Sequence, residues 1–293
     1  MLEIEVNNKW LILDTDYLCH RAKYSTGDLS YKGAATGVIY GVLKEVFSLQ
    51  EQFRTNNVIF CWDSRYSKRA ESYPKYKANR KAKQRTPDEE RFEKQFRYQM
   101  KMMRKEYLYL IGYRNNFQQK GYEADDLIAA CKTAIIEGET KITAEIIIVS
   151  ADHDLYQLID GRTVVYHPQK GKVITLKGMV KQYGIGPVFW PMIKAIAGCS
   201  TDNIKGLRGI GEKTAIKIVQ GSLPKKSKLW KLRQSAKGKR IVWRNLDLVS
   251  LPYPGTKKVK IKKNQLSEKG WKQVCEMMGF RSLRDKAFAR IPE

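Results

Sequence analysis

Three apolar runs, each leading to an aspartate, constrain this chain more than any other feature. Trp10-Leu11-Ile12-Leu13 ends in Asp14, Val58-Ile59-Phe60-Cys61-Trp62 ends in Asp63, and Ile146-Ile147-Ile148-Val149 is followed by Ser150, Ala151 and Asp152. Near-continuous apolar runs of this length are what parallel strands need when helices cover both faces of a sheet. Helix-like segments at Thr36–Phe53 and Ala124–Ile136 fall between them, so the expected class is α/β. With 293 residues, 42% of them hydrophobic, the chain can bury a core in one large domain or two small ones. In open α/β sheets ligands gather beyond the carboxyl ends of the strands. The three aspartates, far apart in sequence, are therefore expected on one edge.

The formal charge of +25 is unevenly placed. Arg65–Lys105 carries 15 basic and 5 acidic residues and Ser222–Lys272 carries 16 and 2, which leaves the rest of the chain nearly neutral. Two concentrated positive blocks point to a polyanionic partner rather than to general solubility. Five cysteines, at positions 19, 61, 131, 199 and 275, contain no CxxC pair. That argues against a disulfide framework and against a Cys-type zinc site. The N-terminus carries Glu3 and Glu5 instead of a basic region, and no run approaches the roughly 18 apolar residues that a membrane span requires. A cytoplasmic, reducing address without membrane contact is expected.

Within the near-neutral remainder lie eight acids at the ends of apolar runs or the starts of helix-like segments: Asp14, Asp63, Glu123, Asp125, Asp126, Asp152, Asp154 and Asp202. Hard cations such as Mg²⁺ are held by carboxylate oxygens. Two unit charges ~4 Å apart repel by ~4 kcal/mol at an effective dielectric of 20, so a converging cluster calls for cations or raised pKa values. Taken singly, Glu123–Asp126 reads first as solvated first-turn acids complementing a helix dipole, and Asp152-His153-Asp154 could likewise be an Asx turn with a cap. His20, His153 and His167 share no metal-ligand spacing.

Arg65–Tyr109 is expected to be a mostly helical basic insertion, broken at Pro74 and Pro87, with a packing stripe at Phe92, Phe96, Met100, Met103 and Tyr107. Inside it, Tyr73-Pro74-Lys75-Tyr76-Lys77-Ala78-Asn79-Arg80-Lys81 interleaves cations with aromatics, as a surface gripping phosphates and stacking unpaired bases would. Gly206-Leu207-Arg208-Gly209-Ile210-Gly211-Glu212-Lys213 precedes an apolar helix, and its glycines allow backbone N–H groups to face a phosphate. An ordinary glycine-capped turn between helices remains the alternative. Lys257–Lys263 alternates at period two, consistent with either an exposed strand or an extended arm.

In this order these motifs resemble the 5′ nuclease superfamily: bacteriophage flap endonucleases and 5′-3′ exonucleases, and the 5′ nuclease domain of bacterial DNA polymerases. The resemblance rests on Asp14 with Arg21 downstream, Asp63, Tyr76-Lys77-Ala78-Asn79-Arg80, Gly121-Tyr122-Glu123-Ala124-Asp125-Asp126, Ser150-Ala151-Asp152-His153-Asp154, and Asp202-Asn203 before Gly209-Ile210-Gly211-Glu212-Lys213. It implies a PIN-like core with a central, mostly parallel sheet over residues 1–183, including a helical arch at 64–109. A helix-hairpin-helix region over 184–293 would follow, its basic C-terminal part packing back on the core.

The resemblance also implies roles. Asp14, Asp63, Glu123, Asp125 and Asp126 would hold one Mg²⁺ or organise its waters, and Asp152, Asp154 and Asp202 would serve a second, with Mn²⁺ as a substitute. Lys77, Arg80 and Arg21 would act on the scissile phosphate. Tyr76, Lys81, Lys83 and Arg85 in the arch would bind single strand, while Gly209, Gly211 and Lys213 at the hairpin, with K⁺, would hold duplex. The implied activity is Mg²⁺-dependent cleavage of 5′ flaps and 5′ ends of DNA by a monomer, in a bacterial host cell if phage-encoded. A DNA-junction binding protein with impaired catalysis, and a nuclease acting on RNA primers, are the alternatives. One departure stands out: Cys199 follows Gly198 where the family usually has an aspartate. Thiol suits Mg²⁺ poorly, so the expectation is a weaker second site and a high Mg²⁺ requirement rather than a switch to zinc.

Overall fold

A computed structural model describes residues 8–81, 86–138 and 144–285. The apolar runs become strands β1 (Lys9–Asp14), β2 (Asn57–Trp62) and β4 (Glu145–Val149), joined by β3 (Asn116–Gln118), β5 (Thr163–His167) and β6 (Lys172–Ile174). The six lie in the order β3-β2-β1-β4-β5-β6. All neighbouring pairs are parallel except β5 with β6. Chain direction across the sheet reverses at β1, between β2 and β4, and that is the switch point where an open α/β sheet offers a crevice.

Period-two alternation sorts each strand between two cores. Ile12, Ile59, Cys61, Ile146 and Ile148 point to one face, while Leu11, Leu13, Val58, Phe60, Trp62, Ile147 and Val149 point to the other. Helices α1 (Thr15–Ser25) and α2 (Gly37–Phe53) cover the second face. The insertion supplies the short α3 (Lys68–Ser72) and the long α4 (Pro87–Met102). Helix α4 starts from a capping box between Thr86 and Glu89 and runs on through a π turn to Ile111. Phe96, Met103 and Tyr107 of the expected stripe are buried.

Helix α5 (Ala124–Gly138) packs on the first face, and its core continues away from the sheet into α6 (Leu176–Tyr183), α7 (Trp190–Ala197), α8 (Glu212–Val219), α9 (Lys228–Gln234) and α10 (Ala236–Val249). The chain then crosses the β3 edge and sends α11 (Glu268–Met278) onto the opposite face, where Trp271 packs edge-on against Phe47 at 4.3 Å between centroids. Residues 257–263 are an extended arm and not a strand. Its ends are fixed by the side chains of Gln119, which accepts from Lys257 N, and Asn115, which brackets the backbone of Lys262. Val259 and Ile261 turn inward while the alternating lysines face out. Among the described residues no helix is long and apolar enough to cross a membrane.

Candidate active site

The three strand-end aspartates meet at the switch point: Asp14 and Asp152 cap the turns that follow them, while Asp63 reaches across to the first N–H of α5. Asp14 Oδ1 accepts from Tyr17 N at 3.0 Å, Asp63 Oδ1 from Ala124 N at 2.8 Å, and Asp152 Oδ1 from Asp154 N at 2.8 Å. These bonds occupy only one oxygen of each. For Asp63 and Asp152 the other has no protein donor among the described residues, while Asp14 Oδ2 accepts from Ser150 Oγ at 2.8 Å. Asp125, in the first turn of α5, makes no ion pair among the described residues. Burial, and then the charges of Asp152 and Asp14, push its carboxyl well above the ordinary range. Asp14 is pushed up to about 7 by burial and by Asp63, against the pull of its two hydrogen bonds. Four mutually repelling acids with raised pKa values form a rim prepared for positive charge.

Two expected ligands behave differently. Asp126, fully buried, accepts a two-pronged ion pair from Arg69 at 2.6 and 2.7 Å, and also accepts from Tyr253 N and Glu123 N. Every lone pair it could offer is engaged, so it is a structural anchor rather than a metal ligand. Successive helical residues point about 100° apart, which turns Asp125 to the rim and Asp126 into the protein. Glu123 is also buried: it accepts from Tyr76 OH at 2.8 Å and from Lys77 Nζ at 2.9 Å. Against the upward push of burial, Lys77 and Arg69 hold its pKa below the usual carboxylate value. Tyr76, 5% exposed, therefore buttresses Glu123 and offers no face for base stacking.

The second group is assembled from distant segments. Asp154 lies on the 3₁₀ turn after β4, whereas Cys199 and Asp202 belong to a hairpin closed by the two-residue pairing of Gly198–Cys199 with Ile204–Lys205. A Cβ on Gly198 would lie 2.4 Å from Gly206 N, so the hairpin's close approach requires glycine there. One potential ligand atom from each of Asp154, Cys199 and Asp202 falls within 4.8 Å of the others. Basic side chains crowd the group: Lys194 pairs with Asp154 at 2.9 Å, and Arg80 with Asp202 at 2.9 Å. Lys77 lies 3.7 Å from Asp202, its backbone held in the left-handed region at φ 51° with its N–H donating to Asp202 O. Lys77 and Arg80 thus stand over the acids at the root of the insertion.

Arg21 does not join them; its guanidinium pairs with Glu45 of α2 at 2.8 Å. Gly209 and Gly211 sit in the hairpin between α7 and α8 and Lys213 in the first turn of α8; Gly209 takes φ +78° and Gly211 precedes α8 without a side-chain cap. Leu207 N donates to Ile196 O, tying the hairpin to α7. Lys83 and Arg85 lie outside the described residues, as does the side chain of Lys81. Sequence reasoning passed over Asp16, which accepts from Asp63 N at 2.7 Å, and the supports Arg69, Ser150 and Lys194. The Asp14-x-Asp16 spacing was the available signal for the first. Beside Asp16 and Asp63 opens a cavity of about 820 Å³, walled by Trp62, Phe96, Arg97, Lys101 and Arg104.

A family model described as 5′-3′ exonuclease, N-terminal resolvase-like domain, matches residues 9–184, which include every acid of the rim. The chain belongs to this family. A thermostable DNA polymerase I of Thermus thermophilus is 34% identical over 224 residues, covering 75% of this chain and 25% of the polymerase. DNA polymerase I of Mycobacterium tuberculosis is 33% identical over 218 residues, covering 71% and 22%. The chain thus matches about a quarter of the length of these relatives. Among solved structures, the T5 5′-exonuclease with divalent metal ions (zinc) bound superposes with a TM-score of 0.68 at 23% identity, covering 97% of this chain and 98% of that one. The catalytic core of Rad2 with DNA substrate gives 0.57 at 13% identity, covering 98% and 92%. At these identities the structural likeness establishes a shared 5′ nuclease fold.

Proposed function

We propose that this 5′-3′ exonuclease-family chain is a divalent-cation-dependent nuclease that hydrolyses phosphodiester bonds at 5′ flaps and 5′ ends of DNA. The observation that carries this reading is the convergence of Asp14, Asp63, Asp125 and Asp152 on one rim beneath Lys77 and Arg80. An all-oxygen donor set suits Mg²⁺ or Mn²⁺, and unpartnered carboxylate oxygens give such an ion a place. Asp14, Asp63, Asp125 and Asp152 would hold the first ion, and Asp154 and Asp202 would contribute to a second. When bound, such ions polarise a phosphate and ionise a water at neutral pH.

The chain's own residues do the rest. Lys77 and Arg80 exchange their carboxylate partners for the non-bridging oxygens of the scissile phosphate and set its position. Tyr76 and Arg69 keep Glu123 and Asp126 in place, so that Lys77 is held at the rim. The cationic and aromatic walls of the cavity beside Asp63 suit an unpaired strand, whose phosphates and bases they match. The glycine hairpin, with K⁺, would hold the duplex, and the chain would work as a monomer. The Rad2 core solved with a DNA substrate supports DNA as a substrate.

The test incubates labelled 5′-flap, nicked-duplex and RNA-primed substrates with and without Mg²⁺. Flap cleavage that requires Mg²⁺ is expected. Tight Mg²⁺-independent junction binding without product would replace this reading with a binding module.

A further inference from the structure

Cys199 gives the second acidic group a chemistry unlike that of the rim. The residue is 8% exposed and lies beside the carboxylates of Asp154 and Asp202, with potential ligand atoms of all three within 4.8 Å of one another. Thr201 Oγ1 lies 2.9 Å from the sulfur and fixes its direction, as an outer partner of a metal ligand does. Asp154 Oδ1 is buried without a hydrogen-bond partner of good geometry, and Lys194 meets it only as an ion pair at 2.9 Å. Lys77, Arg80 and Lys194 all turn their charges to this group. The two carboxylates are already paired with the protein's own cations, so an incoming metal ion would take the place of those partners beside the sulfur.

We infer that Asp154, Cys199 and Asp202 form a mixed thiolate–carboxylate site that prefers a thiophilic or borderline divalent cation, such as Zn²⁺ or Co²⁺, over Mg²⁺. Mg²⁺ demands hard oxygen ligands in near-octahedral geometry, which a sulfur does not supply. Zinc accepts sulfur at ~2.3 Å and carboxylate oxygen at ~2.0–2.2 Å, so tetrahedral ligand edges are ~3.5 Å, and the three side chains need to close by only about an ångström. The metal–sulfur bond forms as the thiol proton leaves to solvent. On this inference Cys199 does more than weaken Mg²⁺ binding: it redirects the position toward another class of ion. This inference rests on the proposed role of the neighbouring rim, but its test is spectroscopic.

The experiment titrates Co²⁺ into the full chain and into Cys199→Ser and Cys199→Asp, following the sulfur-to-cobalt charge-transfer absorption in the near ultraviolet. The other four cysteines are at most 1% exposed, and among the described residues none is grouped with two other ligand side chains, so the band reports Cys199. The wild-type chain should show the band at one Co²⁺ per chain, lose it to added Zn²⁺, and keep it in millimolar Mg²⁺. Both variants should lack it. In Cys199→Ser, loss of the thiolate should weaken Co²⁺ binding by at least the ~10–100-fold that loss of an outer partner costs. If Cys199→Ser fails to fold by circular dichroism, Cys199→Asp carries the comparison. Absence of the band in the wild type, its survival in a folded variant, or its removal by Mg²⁺ overturns the inference. A chain that cleaves flaps in Mg²⁺ yet shows no band loses this inference alone, whereas a band without any cleavage contradicts only the nuclease reading.

Discussion

The rim at the ends of β1, β2 and β4 and the group at Asp154, Cys199 and Asp202 are neighbours that solve the same electrostatic problem differently. The rim is set on the ends of paired strands, each strand-end aspartate is fixed by a backbone N–H, and its donors are all oxygen. The second group depends on a two-residue hairpin returning from far along the chain, includes a sulfur, and is already attended by three basic side chains. The difference teaches that a rigid sheet edge can leave its acids uncompensated, with raised pKa values. A group assembled across a long connection is instead neutralised from within. On the proposed reading, function would divide along the same line: the rim would take a hard cation directly, while the second group would first exchange internal partners.

The largest predicted effect breaks the comparison at its strong side. Asp125→Asn removes an uncompensated rim carboxylate and should lower Mg²⁺-dependent flap cleavage on the order of 10³-fold, measured by single-turnover kinetics. Asp202→Asn should cost far less, and equal losses would erase the distinction. Next, Lys77→Ala should lower the cleavage rate about 10²-fold while leaving duplex binding by fluorescence anisotropy little changed. A matched loss of binding would show that Lys77 is not a phosphate-positioning residue.

The third prediction separates Asp126 from its neighbour. Stripping buried Arg69 of its two-pronged carboxylate partner in Asp126→Ala should destabilise the fold by about 3–5 kcal/mol in urea unfolding, whereas Asp125→Asn should not destabilise it. A destabilisation as large in Asp125→Asn would mean that both acids are structural.

These two adjacent residues also mark what the sequence could reveal. The strand runs and their terminal aspartates were legible because a near-continuous apolar run has few alternatives to a buried strand, and parallel pairing fixes which edge its end occupies. The glycine hairpin and α5 were legible for similar local reasons. The phase of α5 about its own axis was not, since it depends on Arg69 arriving from the insertion and on the carbonyl of Leu248, which accepts from that arginine. Tyr76 read as an exposed aromatic among lysines and turned out to be a buried support for Glu123. Arg21 had the right distance from Asp14 in sequence, but α1 directs it to Glu45. The arm at 257–263 kept its period-two pattern without a strand to pair with, because amide side chains rather than backbone fasten it.

The smallest predicted effect is on stability without cations. Asp14 is raised to about 7 in the fold from an ordinary value of 3.8, so the folded state holds a proton that the unfolded chain releases as pH rises between those values. The stability this group contributes is complete below about pH 4 and is lost as pH climbs through 7. Between pH 5.5 and 8 the cation-free protein should therefore lose a few degrees of Tm by calorimetry. Asp14→Asn should flatten that slope and added Mn²⁺ should reverse it; an unchanged slope in the variant would remove Asp14 as its source.

The central claim, that acids from separate strands jointly hold a divalent cation, is tested most directly by anomalous scattering from a manganese-soaked crystal. A strong peak enclosed by Asp14, Asp63, Asp125 and Asp152 is the result the account predicts. Ordered side chains there with no peak between them, while manganese binds elsewhere on the chain, would contradict it.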